Sequence, residues 1–305
     1  MIEIITSIIA GGVVLAVSIL FVSIGEVYNE RSGVVNLGHE ATISFSAFVG
    51  LWVTFKTGNF FFGTLMAIIS GASIGLIHSF TCIKMRVNQL IAGLLILSLT
   101  DGLANFLNMV VTATAVPLVT PLPSIDIPFL SDIPVLGEIF FQHNAFVYLA
   151  YFLAIVLGLI LYKTTWGLKI RAVGENPEAC DAAGINVNLI RHLCDIFSGA
   201  MAGLAGASIS LGYLGLYDYG IAGGRGWIAI IVVIFSRWSP FRAILGSLIF
   251  GIGYSIAANL IGYLGSGVSY YFLLTLPYIL ALIVIVLFIG TTKAPSALTI
   301  PYWRK

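Results

Sequence analysis

Apolar residues run along this chain in blocks of about twenty, separated by short polar breaks. A helix needs roughly 20 such residues to cross a ~30 Å hydrocarbon core, since each adds about 1.5 Å. The blocks are Ile4–Ile24, Leu37–Phe55, Phe60–Phe80, Leu90–Val111, Ala145–Tyr162, Leu193–Tyr213, Trp227–Ser236, Phe241–Ile261 and Tyr271–Ile289. They predict about nine membrane segments. Trp227–Ser236 is too short to cross alone and predicts a broken helix. The pattern predicts an all-α polytopic membrane protein, residues 1–305 forming one transmembrane domain with no soluble domain. Glu3 precedes the first block, without a basic flank or a cleavage site, so that block reads as a retained helix.

One polar island interrupts the pattern, Lys163 to His192. Within it Asn176, Pro177, Glu178, Ala179, Asp181, Ala182, Ala183 and Gly184 carry the signals of a short capped helix. Asn176 suits the N-cap. Pro177 sits where a missing N–H costs nothing, Glu178 complements the positive helix end, and Gly184 suits a left-handed C-terminal close. A rigid helix in a basic loop of a membrane protein predicts presentation to a cytosolic partner.

Composition agrees with the pattern: 59% hydrophobic, 9% charged and a mean hydropathy of +1.05. A soluble chain carries roughly 25% charged residues. The net charge of +1 leaves no basic surface for nucleic acid. Lys84 and Arg86, then Lys163, Lys169, Arg171 and Arg191, then Arg237 and Arg242, then Lys293, Arg304 and Lys305 fall in alternate breaks, which must share a side. The loop Thr112–Asn144 has no Lys or Arg but has Asp126, Asp132 and Glu138, and five prolines that make it extended and irregular. The positive-inside rule then places the N-terminus outside and the C-terminus in the cytosol, with Arg225 the awkward charge. Cys82, Cys180 and Cys194 fall on the cytosolic side, read as small apolar fillers and not as a disulfide framework.

Catalytic patterns do not hold up. Gly71-Ala72-Ser73-Ile74-Gly75 matches G-x-S-x-G, but inside an apolar helix and away from any strand-to-helix turn. Gly71 with Gly75, and Gly199 with Gly203, read instead as small-residue packing faces. No Gly-Lys dipeptide occurs, so there is no Walker A loop. His39, His78, His143 and His192 are scattered and read as loop or interface residues. No catalytic residue, metal site or cofactor is implied.

Polar residues inside the blocks are the remaining signal, because they are costly in lipid. Ser98, Asp101, Asn105, Asn108 and Thr112 are spaced 3, 4, 3 and 4 apart and form one stripe on the fourth segment. It reads equally as a path lining or as interhelical glue, with Asp101 nearest mid-span. Two glycine-rich breaks, Gly33–Gly38 before His39 and Glu40, and Gly220–Gly226, predict broken helices of the paired kind transporters use. Asn36, His39 and Glu40 therefore join Ser98, Asp101, Asn105 and Asn108 as candidates for a translocation path.

Glu30-Arg31-Ser32-Gly33-Val34-Val35-Asn36-Leu37-Gly38 resembles the ERSGVVNIG signature of ABC importer permeases for simple sugars, nucleosides and branched-chain amino acids. Arg171 to Ala179 with Ala182-Ala183-Gly184-Ile185 resembles that family's coupling segment. Gly224 to Ala229 with Phe235 to Pro240 resembles its third block, and Lys293 to Leu298 the tail of its nucleoside-type branch. The chain departs at His39, usually Leu, at Ala41, usually Gly, and at Ser236, often Gly. The resemblance implies the type II importer fold in the cytoplasmic (inner) membrane, surrounded by lipid. It implies a second permease subunit, with a heterodimer favoured, a cytosolic ABC ATPase on the coupling helix at 176–184, and an extracytoplasmic substrate-binding protein. The solute expected is a nucleoside, with a simple sugar or a flavin-like molecule as alternatives. An ion-coupled secondary transporter is the rival class; it predicts paired carboxylates in mid-membrane, where the stripe offers only Asp101. A membrane-embedded enzyme would need an acid, base or metal constellation.

Overall fold

The computed structural model describes residues 2–113, 115–264, 275–288 and 293–303. Helices form on every apolar block: α1 (Ile2–Arg31), α2 (His39–Thr57), α3 (Phe60–Ser79) and α4 (Gln89–Thr112) come first. A five-residue helix α5 (Leu136–Phe140) precedes α6 (Ala145–Lys163). The polar island holds two helices, α7 (Thr165–Glu175) and α8 (Pro177–Ala182). Then follow α9 (Val187–Ile209), α10 (Arg225–Phe235), α11 (Pro240–Leu264) and α12 (Leu276–Phe288). Positions 271–274 and 289 of the last expected block, and Arg304 and Lys305, lie outside the described residues.

Six described stretches are long and apolar enough to cross a membrane: Glu3–Arg31, Phe60–Lys84, Gln89–Thr112, Ala145–Lys163, Val187–Leu214 and Pro240–Ile261. The other three expected segments are helices of a different kind. Helix α2 opens on His39 and Glu40, α10 has 11 residues, and α12 has 13. Among the described residues six of the nine expected segments are thus long and apolar enough to cross, and α10 is short, as its block predicts. Helix α1 runs past Ile24 to Arg31 because Glu26 and Asn29 are buried and partnered, so their polarity does not end the helix. Helix α9 begins at Val187, six residues before the expected Leu193, because the Asn186 side chain accepts from Leu189 N.

The core is α1 packed against α9, α11 and α10, with α3 laid against α9 and α2. The two small-residue faces read from the sequence pack on each other. A methyl group built at Gly71 would stand 2.2 Å from Gly199 O, and one at Gly199 would stand 2.3 Å from Gly71 O. Only bare backbone allows α3 and α9 to approach so closely. The loop 112–144 is largely irregular, as its prolines predict. It also holds α5 and a two-residue antiparallel pairing of β1 (Ile125–Asp126) with β2 (Gln142–His143).

The chain segregates into two ends. At one, Arg31 donates from Nε to Trp238 O and from Nη2 to Arg237 O, both at 3.2 Å, and Ala297 N donates to Gly174 O. Arg86 lies over the Trp303 ring there. At the other, Val119 N and Leu122 N donate to Gly215 O and Leu211 O, and Asn144 Nδ2 to Gly212 O. The basic breaks thus share an end opposite the acidic loop. Arg225 and Lys56, the latter 4.5 Å over the Trp52 ring, do not belong to that basic set.

Candidate functional site

The two glycine-rich breaks meet inside the bundle. After α1, residues 32–38 fold back beside its last turns: Val34 N donates to Asn29 O, and Asn36 N to Glu26 Oε1. Helix α2 therefore starts within the protein. From the opposite end, residues 215–224 fold inward and α10 starts at Arg225. Ser23 Oγ on α1 reaches Ala229 O, so α10 runs beside α1 toward Arg31. Eleven residues of α10 span about 16 Å, which sets its start near mid-depth of a ~30 Å core. The Glu40 carboxylate joins the two helix starts. It accepts from Gly224 N at 2.6 Å and from Gly226 N at 2.7 Å. A carboxylate there satisfies orphan amides and complements the positive end of α10.

Polar and aromatic groups surround this junction. Arg225 Nη1 donates to Ile221 O and Ala222 O, and its guanidinium lies 5.2 Å from the Tyr254 ring. Tyr254 OH donates to Gly223 O at 2.7 Å. The Tyr278 hydroxyl lies against Gly224, and Tyr219 is 77% exposed. On α4, Asn105 Nδ2 donates to Asp101 Oδ2 at 3.2 Å and Tyr217 OH to Asn105 Oδ1 at 3.2 Å; Tyr217 OH also pairs with Ser44 Oγ at 3.0 Å. Asp101, Asn105 and Asn108 are half-buried. Ser98 is exposed, and its hydroxyl is turned to Leu94 O of its own helix. Thr112 likewise bonds Asn108 O. The expected stripe thus contributes Asp101 and Asn105 to the polar cluster, and its two ends satisfy themselves locally.

Asn36 and His39 are fully buried in a second network on the basic side of Glu40. His39 Nε2 lies 2.7 Å from Glu26 Oε2, and His78 Nδ1 lies 2.6 Å from Asp195 Oδ2. Asn29 Nδ2 and Ser198 Oγ also reach Glu26 Oε2, and Asn36 Nδ2 reaches Asp195 Oδ1 at 3.2 Å. His78 Nε2 is 3.3 Å from Cys82 Sγ. The network welds α1, α2, α3 and α9 together. His39 and His78 are thus interhelical residues, each beside a buried carboxylate. Asp195, which the sequence reading passed over, carries a signal of its own, since an ionisable residue within an apolar block needs a buried partner; Glu26 lies two residues beyond its block and becomes buried because α1 runs on to Arg31.

At the basic end, α8 stands as the capping signals predict. Asn176 Oδ1 accepts from Ala179 N at 3.0 Å, Pro177 opens the helix, and Gly184 closes it at φ +80°. Cys180 turns inward against Val173 and Val187, and burial pushes its thiol pKa up. Glu178, Ala179, Ala182 and Ala183 face outward, with Asp181 half-buried. Helix α7, missed in the sequence, carries Ile170 and Val173 inward and Trp166 and Leu168 outward, with Thr164 Oγ1 capping Gly167 N.

Three comparisons bear on this arrangement. The family described as branched-chain amino acid transport system / permease component matches residues 8–289. The guanosine ABC transporter permease protein NupQ of Bacillus subtilis is 34% identical over 318 residues, 99% of this chain and 98% of that protein. The nucleoside ABC transporter permease protein NupC of Lactococcus lactis is 32% identical over 302 residues, 95% of this chain and 94% of that protein. A Haloferax volcanii protein named for glucose ABC transport, TsgC13, is 37% identical over 241 residues, 78% of this chain and 72% of its own length. Among solved structures, a metal-chelate type ABC transporter in an inward-facing conformation superposes with a TM-score of 0.52. It covers 92% of this chain and 85% of that chain at 14% identity, a likeness of fold alone.

Proposed function

The chain belongs to the permease family of branched-chain amino acid transport systems, and from that premise we propose that this ABC importer permease subunit carries a nucleoside. The carrying observation is coverage: the nucleoside and guanosine relatives match 95% and 99% of the chain, the glucose-type relative 78%. As a permease the chain is not itself an enzyme. Without a Gly-Lys dipeptide it has no Walker A loop, so ATP hydrolysis comes from another subunit. That ATPase docks on α8 from the cytosol, a second, different permease completes the pore, and an extracytoplasmic binding protein delivers the solute. The clustering of basic breaks supports a cytosolic α8 and C-terminus and an outer N-terminus.

The solute passes the Glu40 junction. Asp101 and Asn105 offer an acceptor and a donor suited to ribose hydroxyls, and the tyrosine faces near Gly223 and Gly224 suit a nucleobase. Glu40 holds the α10 start in place, and Asn36 and His39 support it from below. ATP-driven movement of α8 rocks the bundle around this point. The glucose reading keeps one supporting observation, the higher identity of TsgC13 over its shorter match. Uptake of radiolabelled guanosine by cells producing the complete transporter decides between them. Unlabelled adenosine or uridine in excess should suppress that uptake, and glucose and leucine should leave it unchanged. Uptake of labelled glucose that guanosine fails to suppress would reject the nucleoside reading.

A further inference from the structure

We propose that the C-terminal tail, residues 293–303, is a transmission clamp locked by Arg191, which ties α8 to the re-entrant segment 32–38 and so to Glu40. The inference rests on α8 being the ATPase-docking element, and it assigns the route by which movement of α8 reaches the junction.

Arg191 is 2% exposed, and among the described residues no carboxylate lies within ion-pair distance of its guanidinium. A buried charge must be satisfied, and three backbone carbonyls do so here. Nε donates to Ser32 O at 3.1 Å, Nη1 to Ile300 O at 2.9 Å, and Nη2 to Ala297 O at 3.5 Å. One side chain thus holds the re-entrant segment and the tail together. Gly33 leaves room for it: its φ is +97°, and a methyl group there would stand 2.7 Å from Arg191 Nη2.

The tail reaches the coupling region by separate bonds. Ala297 N donates to Gly174 O at 2.8 Å, and Ser296 Oγ to Glu175 Oε2 at 2.9 Å, both at the end of α7 that leads into α8. Thr299 N donates to Gly33 O at 3.2 Å. Leu298 packs on the apolar cluster that holds Cys180 of α8, and Tyr302 and Trp303 share a recess with Ala182. Beyond Gly33 the re-entrant segment is held throughout. Val35 N donates to Gln89 Oε1, and Asn36 bonds both Glu26 and Asp195. Seven residues after Gly33 stands Glu40. A displacement of α8 therefore moves the tail, and the tail moves the segment that ends at the junction. Nothing in this route requires the tail to touch the ATPase.

The test uses the complete transporter in proteoliposomes with radiolabelled guanosine, comparing the full chain with a chain ending at Lys293. The truncated complex should retain its ATPase and hydrolyse ATP within about twofold of the full chain, with guanosine moved per ATP falling about tenfold. Arg191→Lys, which keeps the charge but not the three-way fork, should fall between the two. An unchanged ratio overturns the clamp. Loss of the ATPase on truncation also overturns it, since the tail would then be a docking element. If the truncated chain is not recovered, Thr299→Pro takes its place. Thr299 stands at φ +64°, which proline forbids, so that variant frees the tail from Gly33 and is judged by the same ratio. Spin labels at Thr57, at the far end of α2, and Tyr219, before α10, read the junction side alone and independently of the solute. Trapping with ATP and vanadate should change their separation in the full chain, and the truncated chain should lose that change. A full chain that passes this test but moves no guanosine faults the nucleoside reading and leaves the clamp standing. An identical change in both chains overturns the clamp.

Discussion

Glu26 has no route to water. Asn36 N, Asn29, Ser198 and His39 surround its two oxygens, all inside the membrane-embedded core. Removing one partner of a buried hydrogen-bonded pair costs about 1–3 kcal/mol, because the remaining polar group stays buried and loses a partner. His39→Leu, the residue usual in the family at this position, should therefore lower the thermal unfolding midpoint of the detergent-solubilised protein sharply. Adding Glu26→Gln should restore part of the loss, since the amide brings its own donor and keeps an acceptor for Asn29, Ser198 and Asn36 N. Equal midpoints for His39→Leu and the parent would remove the pair from any structural role. The sequence made Asp101 legible because it sits in a regular stripe with Asn105 and Asn108. It hid the dyads because Glu26 and His39 are 13 residues apart and Asp195 and His78 are 117 apart, so no local spacing joins them.

Elements divide the same way by the range of their causes. Helix α8 was legible because its cap, its proline and its closing glycine lie within nine residues, Asn176 to Gly184. Helix α7 was not, because its inward face is set by Tyr28 and Trp238 far along the chain. A six-residue helix is marginal alone, so its cap and its docking matter. Asn176→Ala should weaken α8 by about 1 kcal/mol and lower the fraction of ATPase that co-purifies. Ala182→Arg sets a large charge on the exposed face and should release the ATPase or uncouple hydrolysis from uptake, with the bundle still folded. Normal co-purification and normal transport with Ala182→Arg would remove α8 from the docking role. The α3–α9 contact was half legible: each glycine face could be read alone, but their pairing is a property of the folded bundle.

For the whole molecule, alternation of basic and acidic breaks predicted two ends, and the contacts among residues 31, 174, 237 and 297 gather the basic breaks at one of them. With α8 in the cytosol, Ser124→Cys should react with an impermeant thiol reagent in intact cells and Ala183→Cys only after lysis; the reverse result would invert the orientation. Glu40 and the two glycine-rich breaks were each legible in the sequence, but their meeting was not, because Glu40 and Gly224 are 184 residues apart. The junction is the point on which the transport account turns. Its most direct test is chemical blockade of Asn105→Cys in the complete transporter, since Asn105 stands between Asp101 and Tyr217 beside the junction, and Cys82, Cys180 and Cys194 are all buried. Complete modification by a small anionic thiosulfonate should reduce ATP-driven guanosine uptake at least ~10-fold while the assembled complex stays intact. Full uptake after complete modification would contradict a solute path through this site.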